Sequence, residues 1–266
     1  MSKTDLTVLK IGGSVITDKN GELAARTQEI ARLTEEIRKA NVGRLIIVHG
    51  GGSFGHPIAE KYNIKGGLKQ DSQKIGFSET HHVMTVLNGL FMDSLVWQEI
   101  PAVSVTPCSC IITENGRIKD FRESAIGSLL DMGFIPVMYG DAVIDSEMGF
   151  TILSGDQLVS TLAIKFKAER IVFGVDVDGI FDSDPKTEKN AKLFKRLNLQ
   201  QLKQLQNNLP KPMGHDVTGA MFGKVTELIP AVEQGIVVNI VNACKPGNIL
   251  KVLQATPVEG TLIQKE

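Results

Sequence analysis

A chain of 266 residues with 42% apolar side chains can bury a sizeable core, either as one large domain or as two lobes sharing a cleft. Its 29 Lys and Arg against 30 Asp and Glu give a formal charge of −1, which argues against a basic face for nucleic acid. Cys108, Cys110 and Cys244 form no Cys-x-x-Cys pair, Met1-Ser2-Lys3-Thr4-Asp5 has no export-signal design, and no apolar run approaches the roughly 20 residues of a membrane span; the expectation is a soluble cytoplasmic protein with no membrane partner.

Leu6 to Ile11 reads as a first strand, rich in β-branched and apolar residues. Ile30, Leu33 and Ile37 recur at helical spacing, and Leu45 to His49 reads as a second strand. Residues 61–76 are polar and Gly-rich, as in a mobile loop. Further strands are expected at Ala102 to Val105, Ile135 to Tyr139, Ile171 to Val175 and Ile236 to Val241. A helix is expected over 156–168, irregular connections over 182–215, and a helix over 218–234 with Met221, Val225, Leu228 and Val232 on one face, capped by Asp216 or Thr218. Strands alternating with helices imply an α/β fold with a mainly parallel sheet covered on both sides, and a lobe boundary near residue 165. In such sheets ligands bind beyond the carboxyl ends of the strands.

The first strand ends in Lys10-Ile11-Gly12-Gly13-Ser14, where paired glycines allow close backbone approach and consecutive amides can form an anion nest. The second ends in His49-Gly50-Gly51-Gly52-Ser53-Phe54-Gly55-His56. Its Gly50-x-Gly52-x-x-Gly55 matches a dinucleotide fingerprint, but no strand with a terminal acid follows about 20 residues on. Gly51-x-Ser53-x-Gly55 also matches a hydrolase elbow, yet the oxyanion motif that belongs on another loop overlaps it. A second phosphate cradle facing the first is the better reading. Ser154-Gly155-Asp156 opens a helix and is explained by capping as well as by anion binding. Asp176-Val177-Asp178-Gly179 and Asp184-Pro185-Lys186 place carboxylates at a strand end, where they orient lysines, accept from a ribose or cap a turn. Lys224 lies near the start of the 218–234 helix. His81 and His82 are adjacent, point apart on a helix and read as surface residues, not metal ligands.

Taken in order, Lys10-x-Gly12-Gly13-Ser14, His49-Gly50-Gly51-Gly52, Asp176-Val177-Asp178-Gly179 with Asp184-Pro185-Lys186, and Asp216-Val217-Thr218-Gly219 with Lys224 resemble the amino acid kinase superfamily over nearly the whole chain. The resemblance implies a three-layer α/β/α sandwich of two lobes. Residues 1–165 would bind the acceptor phosphate and form a homodimer, and residues 166–266 would bind ATP with Mg2+. Gly12-Gly13-Ser14-Val15-Ile16-Thr17-Asp18-Lys19 and Ser53-Phe54-Gly55-His56-Pro57 are similar to the isopentenyl phosphate kinases within it. That similarity implies ATP-dependent phosphorylation of isopentenyl phosphate to isopentenyl diphosphate, in isoprenoid biosynthesis. A uridylate-type kinase and a non-catalytic nucleotide-binding protein of the same fold are the alternatives; His56 separates the reading from uridylate and acetylglutamate kinases.

By the same resemblance, Lys10 and Lys224 flank the transferring group, Lys19 reaches the β- or γ-phosphate, and Asp176 holds the two flanking lysines. Gly12, Gly13, Ser14 and Gly52 cradle the nucleotide phosphates, with Gly179 and Ala220 on the nucleotide side; Ala220 departs from a glycine common in the family. Gly51, His56 and Gly155 grip the acceptor phosphate. Phe77, Thr80 and Val137 are expected to line an apolar pocket for its tail. No general base is needed, because a phosphate monoester is already an oxyanion near neutral pH.

Overall fold

The computed structural model describes residues 5–19, 21–208 and 217–266. In chain order the elements are β1 (Leu6–Ile11), the single turn α1 (Gly13–Ile16), α2 (Thr27–Ala40), β2 (Arg44–His49), α3 (Gly52–Lys61) and the long α4 (Ser72–Trp97). There follow β3 (Ala102–Ser104), β4 (Ile111–Glu114), β5 (Arg117–Phe121), α5 (Ser124–Asp131), β6 (Ile135–Tyr139), β7 (Asp141–Asp145), β8 (Gly149–Leu153) and α6 (Gly155–Lys165). The chain closes with β9 (Arg170–Val175), β10 (Arg196–Asn198), α7 (Leu199–Asn208), α8 (Val217–Glu233), β11 (Val237–Asn242), α9 (Asn248–Leu253) and β12 (Gly260–Gln264).

Among the described residues the main sheet has eight strands in the order β10-β12-β11-β9-β1-β2-β6-β3, parallel except for the β11–β12 pair. β1 lies between β2 and β9, and all six of its residues are buried. A strand buried on both faces must be apolar on both, which is why it reads as a continuous run. Its alternation still sorts the side chains. Leu6 and Val8 join Leu158, Phe173 and Leu228 on the face covered by α6 and α8, whereas Leu9 and Ile11 join Leu33, Leu87 and Phe91 under α2 and α4. Lys10 shares the parity of Val8 and therefore points toward α6 and α8. The three-layer α/β/α arrangement expected from the sequence is the one observed. Among the described residues no helix is long and apolar enough to cross a membrane.

A second sheet of four strands, β5-β4-β7-β8, has no counterpart among the strands expected from the sequence. Its first hairpin turns at Asn115 and Gly116, whose φ of 50° and 77° are those of a two-residue turn favoured by that dipeptide, so a local signal existed. Residues 61–76 are likewise more ordered than a mobile loop. The Gln73 side chain accepts from the Lys69 and Gln70 amides at 2.7 and 3.1 Å and donates to the Tyr62 and Asn63 carbonyls at 3.0 and 3.2 Å. The Leu68 amide donates to the Met148 carbonyl at 2.8 Å, tying this connection to the β7–β8 turn. Within 182–215, β10 and α7 interrupt the irregular connection expected there.

Candidate active site

The carboxyl ends of β1 and β2 deliver two glycine loops into direct contact. A Cβ on Gly13 would sit 2.2 Å from the Gly52 amide nitrogen, and one on Gly50 would sit 2.7 Å from that of Gly13. Gly52 has φ +49°, and a Cβ there would meet Thr17 Oγ1 at 2.0 Å. These glycines are required by backbone packed on backbone. Hydrogen bonds from Gly12 N to the Gly174 carbonyl (2.8 Å) and from Gly50 N to the Ile11 carbonyl (2.9 Å) anchor the loops to neighbouring strands. Thr17 Oγ1 donates to the Gly13 carbonyl at 2.8 Å and accepts from the Ser53 amide at 3.0 Å, so one hydroxyl stitches the loops together. Nothing in the sequence around Thr17 marks it for this role, since both of its partners are backbone groups. The Gly13 and Ser14 amides open α1 without a backbone partner among the described residues, which suits them to an anion.

On the α6 side, Lys10 Nζ lies 2.6 Å from Asp156 Oδ1, and Lys224 Nζ lies 3.1 Å from Asp156 Oδ2. Burial alone would raise the Asp156 pKa, but the two ammoniums hold it well below the usual carboxylate range. Burial pushes the Lys10 pKa down against the pull of Asp156, and Lys224 adds to the depression. Lys10 Nζ also stands 5.6 Å from the centre of the Phe173 ring.

This corrects the expectation that Asp176 holds Lys10 and Lys224. Asp176 Oδ2 instead takes Lys186 Nζ at 2.7 Å and Lys19 Nζ at 3.2 Å. Burial opposes ionisation of Asp176, yet Lys186 and Lys19 bring its pKa down to about 2. The reason lies in strand parity: Lys10 projects to the face carrying α6, and the acid that opens α6 is Asp156. Ser154 does cap that helix, accepting from the Gln157 amide at 3.1 Å, while Asp156 does not serve as the cap. Each of the two carboxylates thus holds a pair of lysines near the carboxyl ends of β1 and β9.

Asp178 Oδ1 pairs with Lys245 Nζ at 2.6 Å and accepts from Asn242 Nδ2 at 3.0 Å. A Cβ on Gly179 would lie 2.4 Å from Thr261 Oγ1, which accepts from the Ile180 amide at 2.9 Å, so Gly179 is fixed by packing on β12. Asp216 lies outside the described residues. Ala220 falls in α8, and its side chain lies outside the described residues as well.

Beyond the second glycine loop, His56 projects from α3 and is exposed. Partial desolvation, followed by the fields of Lys10 and Lys224, lowers its pKa, so its ring is electrostatically linked to the central lysines. Gly51 and Gly55 lie against Met84 of α4: Cβ atoms added there would stand 2.8 and 2.9 Å from Met84 Sδ. Gly155 is buried at the start of α6, and a Cβ there would be 3.6 Å from Lys10 Cε, which places its backbone beside the central ammonium. A Cβ on Gly140 would be 3.3 Å from the Gly155 nitrogen, so the β6–β7 junction packs against the start of α6.

Of the three residues expected around the acceptor tail, the structure groups two on α4 and separates the third. Phe77 packs on Phe150 with ring centres 5.2 Å apart, in a small cluster with Ile64 and Ala142. Thr80 is buried one turn from it and donates to the Gly76 carbonyl at 2.7 Å. Val137 is fully buried in the cluster under α2 and α4, beside Leu9 and Ile47, and does not join Phe77.

Two histidines acquire definite roles. His49 is fully buried between Tyr139 and Phe91, with ring centres 5.3 and 5.6 Å away, and burial pushes its pKa down to about 4. It is neutral at physiological pH. His81 is not the plain surface residue expected: its Nδ1 lies 3.0 and 3.1 Å from the two oxygens of the buried Asp141. His82 is exposed, as expected.

The glycine loops, the Lys10–Asp156–Lys224 bridge and a histidine within its field form a set of groups suited to phosphate, and the relatives are kinases. The amino acid kinase family matches residues 5–242. Isopentenyl phosphate kinase of Methanothermobacter thermautotrophicus is 39% identical, covering 96% of this chain and 98% of the relative. Isopentenyl phosphate kinase of Methanocaldococcus jannaschii is 36% identical over 97% of this chain and 98% of the relative. A solved isopentenyl phosphate kinase structure superposes with a TM-score of 0.86 at 36% identity, covering 97% of this chain and all of that one. The chain is a member of the amino acid kinase family and, within it, of the isopentenyl phosphate kinases, phosphotransferases with a phosphate acceptor.

Proposed function

We propose that this chain transfers the γ-phosphoryl group of ATP to isopentenyl phosphate, releasing isopentenyl diphosphate and ADP. The observation that carries this reading is the Lys10–Asp156–Lys224 bridge, which ends the strand leading into the Gly12–Gly13 loop and whose lysines act electrostatically on His56. An acceptor phosphate oxygen attacks the γ-phosphorus while the bond to the ADP oxygen breaks. Such a reaction needs alignment and compensation of charge on the equatorial oxygens more than covalent help. Lys10 and Lys224 sit where that compensation is wanted. Asp156 keeps both ammoniums in register, and its own charge is partly offset by each.

Gly12, Gly13, Ser14 and Gly52 hold the nucleotide phosphates by backbone amides. Lys19, oriented by Asp176 together with Lys186, reaches over the same phosphates. Among the described residues no three His, Cys, Asp or Glu side chains gather to hold a metal. Magnesium therefore fits as part of Mg-ATP, with phosphate oxygens and water as its main ligands, and when bound it adds further charge compensation. His56 and the amides near Gly51 and Gly155 grip the acceptor phosphate, and Phe77 with Phe150 shelters its apolar tail. Five buried carbons contribute up to about 4 kcal/mol, enough to matter for choice of acceptor.

In this reading residues 1–165 bind the acceptor, residues 166–266 serve the nucleotide, and the enzyme works in the cytoplasm as a homodimer. The exposed apolar residues Ile75, Val86, Val96 and Trp97 along α4 support the last point, since a second copy would cover them. The test is ADP release, with product mass, from isopentenyl phosphate, dimethylallyl phosphate, UMP and N-acetylglutamate. Turnover of isopentenyl phosphate to the diphosphate supports the proposal. Turnover of UMP in its place overturns it.

A further inference from the structure

Asp141 is an unusual residue to find in an apolar interior. Its side chain is fully buried, yet it engages two other segments, through His81 Nδ1 of α4 at 3.0 Å and the Cys108 amide in the turn after β3 at 3.2 Å, and accepts from the Ala142 amide of its own strand at 2.9 Å. Burial lifts its pKa to about 6, opposed by His81 and then by the two amides, so near neutral pH it is a carboxylate that accepts all three bonds. A buried carboxylate persists only when its lone pairs are satisfied, and here the donors come from α4, from the turn after β3 and from the next amide of its own strand.

Those elements bound the acceptor pocket. One turn after His81, Met84 supports Gly51 and Gly55, the loop that carries His56. One turn before it, Phe77 contacts Phe150. Immediately before Asp141, the Gly140 amide donates to the His49 carbonyl at 3.1 Å, and the Gly140 backbone abuts the Gly155 amide nitrogen. The Asp141–His81 bond is therefore the cross-tie between the two backbone segments, near Gly51 and near Gly155, that are read above as holding the acceptor phosphate.

We propose that His81 and Asp141 form a positioning pair that sets the spacing of the acceptor-phosphate site and so governs acceptor affinity, without touching the nucleotide. Donation from His81 Nδ1 to Asp141 fixes α4 against the β6–β7 junction. Losing it lets the Gly51 loop and the start of α6 drift relative to each other, which penalises a ligand gripped by both. Of the amides read above as holding the nucleotide, those of Gly13 and Ser14 lie on the β1 loop, and that of Gly52, although on the Gly51 loop, is stitched to the β1 loop through Thr17 Oγ1 and the Ser53 amide, so the KM for ATP moves less than that for the acceptor. The inference rests on the acceptor assignment given under Proposed function.

The experiment compares steady-state kinetics of the wild type, His81→Ala and His81→Asn, since an Asn amide reproduces donation to Asp141. His81→Ala is expected to raise the KM for isopentenyl phosphate about tenfold, as loss of a hydrogen bond to a buried charge predicts, with kcat and the KM for ATP within about twofold. His81→Asn is expected to recover most of that loss. An unchanged acceptor KM in His81→Ala, or an equal rise in both KM values, overturns the pairing. Hydrogen exchange at the Cys108 and Ala142 amides supplies a readout independent of turnover: faster in His81→Ala and restored in His81→Asn if the tie exists, unchanged in both if it does not. A wild type inert toward isopentenyl phosphate counts against the acceptor assignment, and the exchange result then decides the pair by itself.

Discussion

Lys10 and Lys224 meet on opposite oxygens of one carboxylate, 2.6 and 3.1 Å from Asp156. One lysine comes from the first strand and the other from a helix near the end of the chain, so the bridge forms only when the fold is complete. Asp156→Asn should then do two things. It leaves two ammoniums facing each other with little compensation, and removing one partner of a buried ion pair typically costs about 3–5 kcal/mol. We expect a lower melting temperature and a fall in kcat of at least about a hundredfold, since the lysines lose alignment on the transferring group. Asp176→Asn is the contrast: its lysines are more exposed, and the main effect should be a higher KM for ATP. Thermal melts and steady-state kinetics on both variants check the pair of outcomes.

His56 gives a pH signature. Desolvation and the fields of Lys10 and Lys224 hold its pKa down. A phosphate dianion beside the ring favours the imidazolium and raises that pKa. A group whose pKa rises on binding takes up a proton with the ligand, so acceptor affinity strengthens as pH falls through the interval between the two values. His56→Gln should raise the acceptor KM about tenfold or more and remove that part of the pH dependence, leaving the ligand's own ionisation. A KM–pH profile of both proteins measures the difference.

His49 makes a prediction about stability. Its pKa is about 4 in the folded protein against 6.5 for the free side chain. Between those values the unfolded chain binds a proton that the folded one refuses. Stability is therefore intact above pH 6.5 and declines as pH falls toward 4, by about 1.4 kcal/mol per unit and about 3 kcal/mol in all. Urea unfolding midpoints at pH 7, 6 and 5 should follow this slope. His49→Gln should flatten it while keeping a polar partner for Asn88, which lies 3.3 Å from His49 Nε2.

The Phe77–Phe150 contact predicts acceptor selectivity. Phe77→Ala opens space beside the tail, and discrimination between five-carbon and ten-carbon prenyl phosphates should weaken by about tenfold, the worth of one or two buried methylenes. Competition between the two acceptors in one reaction gives the ratio directly; an unchanged ratio would place the tail elsewhere.

How much of this was legible beforehand varies by residue for physical reasons. Lys10 stands out as a charge in an apolar strand, and the glycines of both loops stand out because only glycine lets the two loops pack backbone on backbone. Six strands of the main sheet were legible because strands buried on both faces announce themselves as apolar runs; its edge strand β10 and neighbouring β12 were not, and neither was the β5-β4-β7-β8 sheet, where a strand such as Arg117–Phe121 is largely exposed. Asp156 was masked by a simpler explanation, helix capping, which belongs in fact to Ser154. Asp176 drew the wrong lysines because strand parity, and not sequence proximity to a motif, decides which carboxylate faces Lys10. Val137 reads as apolar whether it lines a pocket or a core, and only its position under α2 and α4 separates the two. His81 looked like a surface residue because its partner, Asp141, is distant in sequence.

The central claim is that the transferring phosphate lies between Lys10 and Lys224, with the acceptor phosphate on His56. A crystal structure with a non-hydrolysable ATP analogue and isopentenyl phosphate measures this directly. The account predicts both ammoniums within about 3 Å of γ-phosphate oxygens, and the His56 ring within about 3 Å of the acceptor phosphate. Both ligands bound with Lys10 still engaged only by Asp156, and His56 facing solvent, would contradict it.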